Sequence, residues 1–262
     1  PDESEPQDYL DLHAGAGETG VMAAHFPEQV DQEMARTLEQ TQLTMQDAGA
    51  WIQDARKVTP LGYFGDPAAF DTEEMGEWHK EYCLGIAESI AGFLKARGHT
   101  AADPSGIDFE ARDYSIFDET MVDMTWQEVE KAAEEGAIVL LNTAVIEEHG
   151  PHMVCGIDSY LGSLWCKLTR RKLDALGIKA DIAPPFYWGI NRSSQVFPGT
   201  FTVRDETLES VLYDTYSSLK SWGFETVFTI NSHGDGAHNA VILETIVTSY
   251  PFQHRYFKAA KN

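Results

Sequence analysis

The sequence predicts an α/β protein, a three-layer α/β/α sandwich around a mostly parallel central sheet. Three short β-prone runs, "AIVLLNTAVI" (137–146), "IKADIAPPF" (178–186) and "TVFTIN" (226–231), alternate with helix-patterned segments, as βαβ units require. The first run is continuously apolar rather than alternating, the pattern of a strand covered on both faces. Gly136, Gly177 and Gly223 stand where helical patterns stop, the position that favours a left-handed residue.

Taken in order, residues 28–55 are helix-prone or irregular, and "TPLGYFGDPAAF" (59–70) is a Gly/Pro-punctuated loop. Thr72 opens one long amphipathic helix, with Met75, Tyr82, Ile86, Ile90 and Phe93 near helical spacing, ending near Gly98. Residues 99–113 are polar, turn-rich and aperiodic, and read as a linker between 1–98 and 114–262 within a single domain spanning 1–262. Thr125 and Glu128 form a capping-box pattern for a helix ending at Gly136. After the 137–146 strand, helices are expected at about 159–176, 204–223 and 237–250, separated by the other two strands.

Charge narrows the function classes. With 42 Asp and Glu against 19 Lys and Arg, the formal charge of −23 repels phosphate backbones and anionic lipid, which argues against nucleic-acid and membrane-surface partners. Cys83, Cys155 and Cys166 are odd in number and lack CxxC spacing, so neither a disulfide framework nor a thiolate zinc site is expected. No apolar run approaches the roughly 20 residues of a membrane helix, and the first residues lack the regions of a signal peptide. A cytoplasmic location is expected.

Ligands gather at the carboxyl ends of strands in open α/β sheets, and two polar clusters fall there. In "VIEEHGPHMVCGID" (145–158), alternation in extended chain pairs Glu147 with His149 and turns Glu148 away as a bystander; Asp158 returns after a Gly-Pro turn. In "NSHGDGAHN" (231–239), His233 and Asp235 repeat the i, i+2 offer, with Asn231 fixing the turn. Carboxylate and imidazole without thiolate suit Zn²⁺ or Mn²⁺. Five ligands exceed one open catalytic site, so Glu147, His149, Asp158, His233 and Asp235 are expected to hold two divalent ions bridged by Asp158. His152 and His238 are expected beside the site as hydrogen-bond partners or facing solvent, Cys155 as packing, and Trp188 as a substrate-binding wall of the pocket.

These segments resemble the creatininase family of amidohydrolases. "AVIEEHGPHMVCGID" is similar to its E-x-H-G-P-H…D signature, "FPGTFTV" to its FPGT segment and "NSHGDGAHN" to its NGHGGN-like motif; "DLHAGAGETGVM" (11–22) resembles HAGExET, and "GYFGDP" (62–67) the G-x-x-GDP loop. The resemblance implies metal ligation by the same five residues, a catalytic His13, and a second acid at Glu18 that orients His13 or a substrate amine. It departs at Asp235, where the family often has Glu, and at Ala16, where the first acid of HAGExET is missing.

The implied activity is hydrolysis of a C–N bond in a cyclic amide or related small amide, with a hydroxide held between two ions as the attacking group. Cleavage of formamides or peptides is an alternative within the family, and a non-catalytic metal-stabilised module is another. A closed homo-oligomer, often a hexamer in the family, is also implied. Motif order is reversed: the family places E-x-H before HAGExET, whereas here His13 precedes Glu147. Joining Asn262 to Pro1 restores the family order, so the chain reads as a circular permutation or as two segments in reversed order.

Overall fold

The computed structural model describes residues 9–98 and 115–248 and the backbone of 253–258. The expected linker at 99–113 lies outside the described residues. In chain order the helices and strands are α1 (Ala16–His25), α2 (Gln32–Ala35), α3 (Met45–Gln53), α4 (Ala55–Val58), α5 (Thr72–Lys95), α6 (Trp126–Glu134), β1 (Ile138–Thr143), α7 (Ile157–Ala175), β2 (Ala180–Ile182), α8 (Asp205–Ser221), β3 (Thr226–Asn231), α9 (Gly236–Thr248) and β4 (Gln253–Lys258).

Among the described residues the sheet has four strands in the order β2-β1-β3-β4, every pair parallel. In register, Leu140 of β1 faces Phe228 of β3, and Thr143 faces Asn231, so both strands run out at the same level. Side chains alternate across it. Ile138, Leu140, Phe228 and Ile230 enter one core with α1, α5 and α7; Val139, Leu141 and Val227 enter another with α8 and α9. That is the three-layer α/β/α arrangement. A third small cluster packs Ala48, Trp51 and Ala55 of α3 and α4 on Phe64.

Local chemistry sets the boundaries. Asp71 caps α5, its Oδ1 accepting from the Glu73 and Glu74 amides at 2.8 and 2.9 Å. Thr125 and Glu128 form the expected capping box on α6. Gly136, Gly177 and Gly223 have φ of 74°, 74° and 102°, the left-handed region that ends the helix before each. On α8, Leu208, Leu212, Tyr216 and Leu219 follow the helical repeat and are buried. No helix among the described residues is long and apolar enough to cross a membrane.

Two strands are shorter than the apolar runs suggested. β1 stops at Thr143 because Ala144 onward leaves the ladder, the Ala144 amide donating to the Phe186 carbonyl at 2.9 Å. β2 keeps three residues, since Pro184 and Pro185 cannot donate to a neighbour. β4 was not expected: "QHRYFK" is polar and short, typical of an edge strand.

Leu140 is fully buried and in the central strand, whereas Leu243 on α9 is 45% exposed. Leu140→Ala should therefore lower unfolding free energy by about 2–5 kcal/mol, while Leu243→Ala should stay within about 0.5 kcal/mol, both read by urea denaturation.

Candidate metal centre

The ends of β1 and β3 deliver two polar segments to one place. After β1, the chain from Ala144 to Gly156 folds back on itself beyond the strand's carboxyl end, with the Glu147 amide donating to the Cys155 carbonyl at 3.0 Å. Asp158 then sits in the first turn of α7, and Ser232 Oγ donates to its carbonyl at 2.8 Å, tying the end of β3 to the start of α7. Asn231 fixes the turn after β3 as expected: its Oδ1 accepts from the His233 amide and its Nδ2 donates to the His233 carbonyl.

His13 comes from the far end of the sequence. It pairs with Phe64 in an antiparallel bridge, so the HAG and GYFGDP segments form a single support. Ala14 follows with φ of 50°, a left-handed conformation costly for a residue with a Cβ, and its amide donates to Glu18 Oε2 at 2.6 Å. Glu18 thus clamps the turn that aims His13. Its own carboxylate faces His149 Nε2 at 3.9 Å.

These elements bring together two buried triads that share Glu147: one with Asp158 and His233, the other with His13 and His149, each with ligand atoms within 4.8 Å of one another. His233 Nδ1 stands 2.9 Å from Glu147 Oε1 and 2.8 Å from Asp158 Oδ2. His149 Nε2 is 3.6 Å from Asp158 Oδ1. The His13 and His149 rings lie 4.4 Å apart.

Each imidazole is held by a main-chain carbonyl, for His149 and His233 on the nitrogen opposite the carboxylates. His149 Nδ1–H donates to the Glu147 carbonyl at 3.1 Å, His233 Nε2–H to that of Ile190 at 3.1 Å, and His13 Nε2–H to that of Glu148 at 2.8 Å. In the neutral ring this leaves the opposite nitrogen with its lone pair, the arrangement of metal-ligating histidines. His149 Nε2 is buried and has no hydrogen-bond partner.

Electrostatics follow from burial, and among the described residues the ion pairs of these carboxylates involve no Lys or Arg. Burial works to raise the Glu147 carboxyl, but His233 overrides it and holds it down to about 2. Asp158 is likewise raised by burial, then held well below the usual carboxylate range by the imidazoles of His149 and His233 beside it. Burial disfavours the imidazolium forms of both histidines, yet Asp158 and its acidic neighbours carry His149 up to about 10, and Glu147 and Asp158 do the same for His233. Without metal, protons on imidazole supply the positive charge. The expected neighbours are neutral: burial brings His152 down to about 4 and His238 well below its ordinary value. His152 Nε2 meets Thr19 Oγ1 at 2.9 Å, and His238 Nδ1 accepts from the Ile190 amide at 3.3 Å.

Three expectations are corrected here. Asp235 stands outside both triads: its Oδ1 accepts the Ala237 and His238 amides and its Oδ2 the Arg192 amide, so the shorter carboxylate is spent capping α9. Trp188 does not wall the cleft. It is 49% exposed and packs edge-on to Phe201, while Gly189 next to it faces inward against Val145 and His238. Glu148 is no bystander, because the chain at 147–149 is not a regular strand; its carboxylate is buried and its Oε1 lies 3.4 Å from His13 Nε2.

Ser194 was missed altogether. Its hydroxyl donates to Glu147 Oε2 at 2.5 Å from the loop before FPGT, and a serine in a turn-rich stretch carries no signal of that contact. The triads open on a cleft of about 270 Å³, with His13, Glu147, His233 and Asp235 on one wall and Trp51 and Ile52 of α3 on another. The Trp51 ring lies 5.3 Å from that of His13.

A family model described as creatininase, creatinine amidohydrolase, matches residues 2–90 and 122–260. The chain is 29% identical over 101 residues to the mycofactocin precursor peptide peptidase of Mycolicibacterium smegmatis, covering 37% of this chain and 39% of that protein. It is 26% identical over 117 residues to the creatinine amidohydrolase of Pseudomonas putida, covering 42% and 43%. The chain thus spans about four-tenths of the length of the curated relatives it matches. A crystal structure of creatinine amidohydrolase aligns with a TM-score of 0.49 at 21% identity over 53% of this chain and 57% of that one; a manganese form of creatininase aligns at 0.45 and 20%, over 53% and 58%.

The shifts above set the pH response of chelator-treated protein. The raised His149 and His233 contribute stability fully below their unfolded pKa of about 6.5, lost as pH rises toward 10; the depressed Glu147 contributes above about 4.5, lost as pH falls toward 2. Melting temperature should therefore peak between about pH 4.5 and 6.5 and decline on the alkaline side. An alkaline decline that is shallower in His149→Gln than in the native chain would assign it to this cluster, with His233 accounting for the part that remains.

Proposed function

This chain belongs to the creatininase family, and from that premise we propose that it is a metal-dependent amidohydrolase acting on a C–N bond of a cyclic amide or related small amide. The observation that carries the reading is the pair His149 and His233, each with one ring N–H on a main-chain carbonyl and the other nitrogen turned toward shared buried carboxylates, with His13 beside them. Among the described residues the ion pairs of Glu147, Glu148 and Asp158 are all to histidine, so a divalent cation would take the place of imidazole protons.

Glu147, Asp158 and His233 would hold one ion, with His149 and Glu147 offering donors to a second; Zn²⁺ or Mn²⁺ suits this oxygen and nitrogen set. When bound, such ions supply a Lewis acid and water of lowered pKa. Ser194 fixes the rotation of Glu147 by donating to Oε2, leaving Oε1 for the centre. His13, lining the cleft, transfers a proton to the leaving nitrogen. Trp51 excludes water from one side of that imidazole. A cleft of about 270 Å³ suits a small cyclic amide, a ring with its substituents.

On its motif order, with His13 before Glu147, the chain is read as circularly permuted, the alternative being two segments in reversed order. A chain running from residue 114 through 262 and then 1 through 98 should fold to the same circular dichroism spectrum.

The test of the activity is hydrolysis of a panel containing creatinine, cyclic ureides, formamides and short peptides, before and after chelation and after Zn²⁺ or Mn²⁺ is restored. Turnover of one class that vanishes on chelation and returns with metal is the expected result; cleavage confined to peptides would move the substrate toward that of the mycobacterial relative. Silence throughout with metal bound would favour a non-catalytic module. His13→Ala should lower turnover by about 10²–10⁴-fold while metal stays bound. Loss of metal in that variant would make His13 a ligand instead.

A further inference from the structure

We propose that Glu148 is the positioning residue for His13: its carboxylate and carbonyl together hold the imidazole as the Nε2–H tautomer, with Gly62 providing the clearance. In using His13 for proton transfer, this builds on the reading above.

Glu148 meets His13 twice. Its main-chain carbonyl accepts from Nε2–H at 2.8 Å, and its Oε1 lies 3.4 Å from the same nitrogen. Oε2 accepts from the Gly150 amide at 3.0 Å, but Oε1 is buried and accepts no hydrogen bond. A buried carboxylate oxygen left this way is costly unless a donor faces it, and the His13 N–H is in place to do so. Both groups of Glu148 therefore favour hydrogen on Nε2 and a lone pair on Nδ1, the form able to accept a proton.

Glu148 is held from three sides. The Thr200 hydroxyl accepts from its amide at 2.9 Å, which gives the FPGT threonine a place in the site. Gly62, at φ of 92°, lies so close that a Cβ there would come within 1.8 Å of Glu148 Oε2. Any side chain at 62 would evict the carboxylate. Ala14, Phe64 and Glu18 anchor His13 from behind, so moving Glu148 changes which nitrogen carries hydrogen more than where the ring sits.

The experiment is long-range ¹H–¹⁵N correlation on ¹⁵N-histidine-labelled full chain at alkaline pH, in chelator-treated and zinc-loaded samples, with the His13 signals identified by their loss in His13→Gln. The native chain should show His13 as a single Nε2–H tautomer. Glu148→Ala should give mixed tautomers and a fall in kcat on the order of 10- to 100-fold with KM little changed. Glu148→Gln, which retains an acceptor oxygen, should restore both. Gly62→Ala should reproduce the Glu148→Ala pattern with Glu148 still present, and decides the matter if Glu148→Ala does not fold. A native His13 pattern in folded Glu148→Ala or Gly62→Ala overturns the proposal, as does an Nδ1–H tautomer in the native chain. The tautomer readout needs neither metal nor substrate, so a chain that hydrolyses nothing but shows it would sink the hydrolase reading alone.

Discussion

Three carboxylates, Glu147, Glu148 and Asp158, are buried within a few ångströms of three buried imidazoles, and their ion pairs among the described residues involve no Lys or Arg. Burying one unpaired carboxylate costs several kcal/mol, and burying several together adds mutual repulsion. Such a cluster persists only if positive charge enters with it. In metal-free protein the charge comes as protons on His149 and His233, which accounts for their elevation to about 10 and for the depression of Glu147 to about 2.

The fold serves that constraint through the level at which strands end. β1 and β3 terminate side by side at Thr143 and Asn231, so the segments after them reach the same point without a long loop. α7 starts there and supplies Asp158 from its first turn. Residues 9–98 dock α1 and α5 against α7, carrying His13 and Glu18 in from a remote part of the chain. Main-chain carbonyls then orient each imidazole. For His149 and His233 those carbonyls belong to the backbone at 147 and 190, so these two rings are fixed by the path of the chain, whereas His13 meets both the carbonyl and the carboxylate of Glu148.

What could be read from sequence was what periodicity and motif chemistry encode. The continuously apolar strand at 137–146, the helix stops at glycine and the Thr125 to Glu128 cap all correspond to elements of the structure, and the spacing of Glu147, His149, Asp158 and His233 anticipated four residues that do converge. The misses share a cause. Asp235 matches a family ligand by position, but whether a carboxylate binds outward or caps its own helix depends on one methylene and on three nearby amides. Glu148 was set aside because strand alternation was applied to a segment that is not a strand, and Ser194 acts across 47 residues from a loop without pattern. β4 escaped because a polar edge strand has no apolar signature.

The most direct test of the account is metal content per chain, by inductively coupled plasma mass spectrometry, for native protein and Asp158→Ala purified without chelator and offered Zn²⁺ or Mn²⁺. About two ions per native chain, falling sharply in the variant, is the result the buried centre predicts. A native chain that retains no metal after it is offered would mean that imidazole protons are the permanent counter-charge of this cluster, and the metal-centre account would be wrong.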